Sequence, residues 1–146
     1  MIIEDEFEVD APVDRVWNVL KDVPRVVGCI PGATITEIVD ERTYRAKVGV
    51  KVGPVNVGYN ATIVVDRLDD ANHHAQFSIN GDEIRGRGGV RASMASDVVA
   101  AGGGSRVTLR ADAQISGVIA TVGGRLIEGV AKKQIATFAE NLSKLL

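Results

Sequence analysis

The opening residues, MIIEDEFEVD, alternate: Ile3, Phe7 and Val9 fall on one side and Glu4, Glu6 and Glu8 on the other. A period of two belongs to a half-buried β-strand. The pattern then changes. Asp10 is suited to cap a helix with Pro12 in its first turn, and Val13, Val16, Trp17 and Leu20 recur on one helical face. A second short helix is expected through Val26. From Ala33 the chain reads as strand-like runs: Ala33 to Asp40, Thr43 to Val52, Val55 to Leu68, His74 to Ile84, Gly86 to Val99 and Arg106 to Ser116. Turn-formers such as DER, GP, DDAN and AGGGS separate them. Strands in direct succession imply hairpins, hence an antiparallel sheet. Beyond Gly117, residues Val118, Val122, Leu126, Val130, Phe138 and Leu142 keep helical spacing over roughly 25 residues, predicting one long amphipathic helix. The expected fold is α+β: a seven-stranded antiparallel sheet covered by the terminal helix, with two short helices after the first strand. Residues 1–146 are expected to form one domain.

Strand parity assigns the face that meets the helix. In the run from Thr43, the apolar set Tyr44, Ala46, Val48, Val50 and Val52 turns inward, and Arg45, Lys47 and Lys51 turn to solvent. By the same rule Val55, Val57, Tyr59, Ala61, Ile63 and Val65 face in. So do Ala75, Phe77 and Ile79, then Val90, Ala92 and Met94, then Val107, Leu109, Ala111, Ala113 and Ile115. Many of these are small, and Gly86 and Gly88 share the inward register of their run. The terminal helix opens with equally slight groups, Val118, Ala120, Val122, Gly123 and Gly124.

Protein interiors are close-packed, so small groups facing small groups leave a void unless the sheet closes more tightly on the helix. The reading adopted is an apolar cavity beneath the first half of the helix, with Tyr59 as its nearest polar group. Such a space suits a flat or chain-like hydrophobic small molecule. The candidate ligand contacts are Ile30, Val48, Val50, Val57, Tyr59, Phe77, Ile79, Met94, Leu109, Val122 and Leu126. The stretch Cys29 to Ala33, CIPGA, is expected to hold the cavity rim, since Pro31 fixes φ and Gly32 permits a tight turn.

Composition sharpens the picture. The 146 residues include 16 glycines but one Trp, two Tyr and three Phe, so few bulky groups are available to fill space. With 17 basic and 19 acidic residues the formal net charge is −2, too balanced for attraction to nucleic acid by counterion release. A single cysteine excludes an intramolecular disulfide, and the N-terminus lacks the pattern of a signal peptide, so a cytoplasmic setting is expected. No apolar run has the length of a membrane-spanning helix, which leaves peripheral contact.

Catalytic and metal motifs are sparse. His73 and His74 are adjacent, point opposite ways in a strand and lack ligand partners at chelating spacing. The glycines of IRGRGGVR match neither a dinucleotide fingerprint nor a phosphate loop. Asp66, Asp69, Asp70, Asp82 and Glu83 sit where carboxylates usually serve turns. Cys29 has no evident activating partner, so a structural role is expected. No catalytic residues, metal site or tightly bound cofactor are assigned. Arg85, Arg87 and Arg91 share one outer parity and form a candidate stripe for docking a partner.

Three stretches together carry a likeness: DVPRVVGCIPGA from Asp22 to Ala33, YRAKVGVKVGPVNVGYNATIVV from Tyr44, and SGVIATVGGRLIEGVAKK closing on Phe138. They resemble the carbon monoxide dehydrogenase G-subunit family, of the START-like, polyketide cyclase-related helix-grip superfamily. The resemblance covers essentially the whole chain. It implies a sheet gripping the helix around a hydrophobic tunnel and a non-enzymatic role beside a molybdenum hydroxylase such as carbon monoxide dehydrogenase. The implied ligand is a quinone, menaquinone or ubiquinone, linking that enzyme to the respiratory chain at the inner face of the membrane. Some members extend past this helix with a membrane-associating tail. The present sequence ends at Leu146, and a quinone in the tunnel would not depend on such a tail. Two further readings are an enzyme of the superfamily (cyclase, dehydratase or hydrolase) acting on an aromatic or polyketide substrate, and an adaptor using the arginine stripe. The enzyme would draw on Tyr59 with Asn60 or Asn80.

Overall fold

The computed structural model describes residues 1–146. Strand β1 (Ile2–Val9) is followed by helices α1 (Val13–Leu20) and α2 (Val23–Gly28). Six strands then run in succession: β2 (Ala33–Ile38), β3 (Thr43–Val52), β4 (Val55–Asp69), β5 (His74–Glu83), β6 (Gly89–Ala101) and β7 (Gly104–Ile115). A 3-10 turn, Ile119–Val122, leads into helix α3 (Gly124–Ser143). All seven strands form one antiparallel sheet in the order β1-β7-β6-β5-β4-β3-β2. Alternation along β3 is clean: Ala46 and Val52 are buried, while Arg45, Lys47 and Lys51 are exposed.

Register shifts at Ile35/Glu37 and Val65/Arg67 mark irregularities where the sheet can bend around the helix. The main core lies where α1, α2, β1, β7 and the end of α3 converge, with Val16, Val98, Val107 and Leu142 almost fully buried. Phe7 and Phe138 meet edge to face at 6.0 Å, docking the last turns of α3 on β1. No helix is long and apolar enough to cross a membrane.

Four expectations change. Helix α1 begins at Val13 with Pro12 as its N-cap and no side-chain cap, so Asp10 plays no capping part. Strand β6 starts at Gly89, and Ile84 to Gly88 form a loop, which removes Gly86 and Gly88 from the inward register. The same loop takes Arg85 and Arg87 off the strand, so the strand parity expected to align them with Arg91 is lost. The long terminal helix is interrupted, because Gly123 adopts φ +93° between the 3-10 turn and α3. That break separates the first apolar positions of the segment from α3.

Candidate functional site

Two apolar chambers lie between the inner face of the sheet and α3. The inner chamber, about 210 Å³, is walled by Trp17, Leu20, Val26, Ile30, Ala75, Phe77, Met94, Leu109, Ile135 and Phe138, with Ser96 and Gln134 as its two non-hydrophobic residues. The outer chamber, about 240 Å³, lies under the first half of α3 and includes Ile30, Val48, Val50, Val52, Tyr59, Ile127, Val130 and Gln134. Ile30 and Gln134 belong to both walls and so stand where the chambers meet. No lining side chain in either chamber carries a carboxylate, an imidazole, a thiol or a formal positive charge.

Local structure explains how this border is held. In CIPGA, Gly32 has φ +79°, and a Cβ there would lie 2.6 Å from the Gly49 carbonyl oxygen. Only glycine lets the turn approach β3 this closely, where the Gly49 N–H donates to the Gly32 carbonyl at 2.9 Å. The neighbouring Cys29 carbonyl accepts from Asn141 Nδ2 at 3.0 Å, tying the turn to α3. Ile30 is thereby fixed at the junction. The Cys29 thiol is buried and pushed up in pKa by that burial, with Arg25 opposing; such a thiol is structural rather than nucleophilic. Trp17 is positioned by its indole N–H, which donates to Asp70 Oδ1 at 2.7 Å.

Three buried polar atoms find no hydrogen-bond partner: Tyr59 Oη, Ser96 Oγ and Gln134 Oε1. All three belong to chamber-lining residues. An unpaired buried polar group costs about 1–3 kcal/mol. Burial raises the Tyr59 pKa, and the negative charge of Glu83 adds to the effect, so the phenol stays protonated and is a donor at neutral pH.

Of the residues singled out from sequence, the structure sets Ile30 on both chambers, Val48, Val50 and Tyr59 on the outer one, and Phe77, Met94 and Leu109 on the inner one. Four lie elsewhere. Val57 packs against the cluster of Val52, Tyr59 and Ile119 and borders a surface groove, lining neither chamber. Ile79 is half-buried but lines neither chamber. Val122 packs beside Ile119, and Leu126 is 42% exposed. In the outer chamber Ile119 from the 3-10 turn and Ile127, Val130 and Ala131 from α3 form the helical wall, and Val122 and Leu126 do not.

The cavity also extends past the first half of the helix and holds more polar handles than Tyr59. Gln134 fills the gap in the every-fourth series Val118, Val122, Leu126, Val130, Phe138, Leu142, and a polar residue in an apolar stripe was the available signal. Asn60 and Asn80 are exposed on the outer face. Arg91 is held by Asp82 at 2.8 Å and by the Gly81 carbonyl at 3.0 Å, whereas Arg85 and Arg87 are exposed in their loop.

Other titratable groups have structural partners. His74 Nδ1 lies 2.7 Å from Asp97, and His73 lies 3.5 Å from Asp14 and edge-on to Trp17. No group of three or more His, Cys, Asp or Glu side chains is placed to hold a metal ion. Glu83 departs from the expected turn role: it is buried, accepts from the Val118 N–H at 3.3 Å and is enclosed by Gly86, Gly88 and Gly117.

No curated protein sequence matches the chain. Among solved structures it is similar to a conserved protein from Geobacillus kaustophilus, with 26% identity and a TM-score of 0.87 over 99% of this chain and 93% of that one. The fold also matches an aromatase/cyclase from Streptomyces sp. R1128, with 15% identity, a TM-score of 0.66, and 99% and 92% of the two chains covered. A START superfamily protein from Mycobacterium smegmatis aligns at 15% identity and a TM-score of 0.64, over 98% of this chain and 94% of that one. The fold is therefore START-like, a sheet gripping a C-terminal helix. The model of the carbon monoxide dehydrogenase G-subunit (CoxG) family matches residues 6–146, and the chain belongs to that family.

Proposed function

We propose that this protein is a non-enzymatic carrier of a hydrophobic small molecule, an isoprenoid quinone such as menaquinone or ubiquinone. It would serve a molybdenum-containing carbon monoxide dehydrogenase or related hydroxylase by passing electrons toward the membrane respiratory chain. The observation that carries this reading is the pair of abutting apolar chambers, about 210 and 240 Å³, with no charged lining residue. Ligand sites usually span about 300–1,000 Å³; each chamber alone falls short, and the two together reach the lower part of that range. A flat ring across the border of the chambers, with tail units continuing along their walls, fits such a shape. Acid–base turnover needs titratable groups poised near neutrality, and Tyr59, the one ionisable side chain on these walls, is pushed the other way. Family membership supports the partner, and the exposed Arg85 and Arg87 offer it a contact.

The test is organic extraction and mass spectrometry of protein purified from a quinone-containing host, followed by incubation with short-tail menaquinone. Co-purification or uptake at one molecule per chain is expected. Protein that carries no quinone and takes up none would overturn the carrier role. In a pull-down with the dehydrogenase, Arg85→Glu combined with Arg87→Glu should lose the enzyme and keep the quinone.

A further inference from the structure

We infer that Tyr59, Gln134 and Ser96 select an occupant bearing hydrogen-bonding oxygens at two separated points, one in each chamber, over a plain hydrocarbon of the same shape. The inference rests on reading the chambers as a ligand site. Its basis is a coincidence of two independent observations: the buried polar side-chain atoms left without partners are three, and all three belong to residues lining the chambers. Tyr59 is 5% exposed and Ser96 6% exposed, so bulk solvent does not serve them. A resident water needs two to four polar partners, and each chamber wall offers two polar side chains, the minimum of that range.

Chemistry follows from donor type. The Tyr59 phenol, kept protonated by burial, donates one hydrogen bond into the outer chamber. In the inner chamber Ser96 also donates, and Gln134 at the border, whose unpaired Oε1 is an acceptor, offers a donor at that point once its carboxamide turns end for end to put NH₂ there. Donors at two separated places match carbonyl oxygens on opposite edges of a ring. A fatty chain satisfies none of them.

The experiment compares two probes of one ring system, methylnaphthoquinone and methylnaphthalene, by calorimetry on the full chain. The wild type should bind the quinone at least about tenfold more tightly, the size of effect expected where a buried polar group is either paired or left unpaired. Tyr59→Phe and Gln134→Leu should each weaken quinone binding by about tenfold and leave methylnaphthalene within about twofold. Unliganded Tyr59→Phe should melt at a higher temperature than the wild type, because its orphaned hydroxyl is gone; a residue with a concealed structural partner would give a lower one. If Gln134→Leu does not fold, Ser96→Ala is measured in its place.

Equal affinity of the wild type for both probes, or quinone affinity unchanged in the variants, would overturn the selection by these groups and leave the carrier reading standing. Failure of the wild type to bind either probe would remove the carrier reading, and this inference with it.

Discussion

Glycine positions in this protein divide sharply by what a side chain would meet. At Gly117, φ is +87° and a Cβ would run into the carboxylate of Glu83 and the backbone of Gly88. Gly117→Ala should therefore lose about 1–3 kcal/mol in denaturant unfolding from backbone strain alone, with the clash added to it. Gly28, in α2 with nothing within 4 Å of an added Cβ, is the control; Gly28→Ala should be neutral or slightly stabilising in the same measurement. Asp70 makes a second residue-scale prediction. The Trp17 indole N–H, and after it Lys21, holds its carboxyl below the usual carboxylate range. A depressed folded pKa gives stability that is present above the unfolded value of about 3.9 and is lost as pH falls through the folded one. Asp70→Asn should flatten the acid limb of a stability-versus-pH curve, and an unchanged limb would show that this carboxylate is not linked to folding.

Helix α3 behaves as two halves. Its C-terminal turns hold the buried Phe138 and Leu142 and dock on β1, whereas Gly124 to Ala131 span the outer chamber without a single buried residue. Few packed neighbours mean a low local opening free energy. Amides of Gly124 to Gln134 should therefore exchange with deuterium faster than those of Phe138 to Ser143, and a bound ligand should slow the first group selectively. Truncating the anchor tests the other half: Leu142→Ala, at a fully buried site, should cost about 2–5 kcal/mol by chemical denaturation. Strand periodicity was legible at this scale, and Thr43–Val52 has the same bounds in the sequence pattern and in the structure. Two signals misled. Glu83 folds the five residues Ile84 to Gly88 into a loop around its carboxylate, and the positive-φ Gly123 breaks a helix whose apolar spacing looked continuous. Neither feature can be read from hydrophobic periodicity.

Across the whole molecule, Tyr44 and Tyr59 both have pKa values raised, first of all by burial. A raised folded pKa gives stability that is complete below the unfolded value of about 10 and falls as pH climbs through the folded one. Phenolate absorbance should thus be displaced above pH 10, with the deeply buried Tyr59 the later of the two to ionise, and Tyr59→Phe should remove that later component; a single titration at pH 10 in folded protein would contradict the burial. By itself the sequence determined the antiparallel sheet, the inward identity of its valines and alanines, and the shortage of bulk beneath a covering helix. Those properties follow from local period and side-chain size. Tertiary structure alone decided that the void is two chambers, that Ile30 and Gln134 divide them, and that Tyr59, Ser96 and Gln134 stand unpartnered on their walls. Ile30 and Gln134 lie far apart in the chain, so these juxtapositions arise only when distant segments pack.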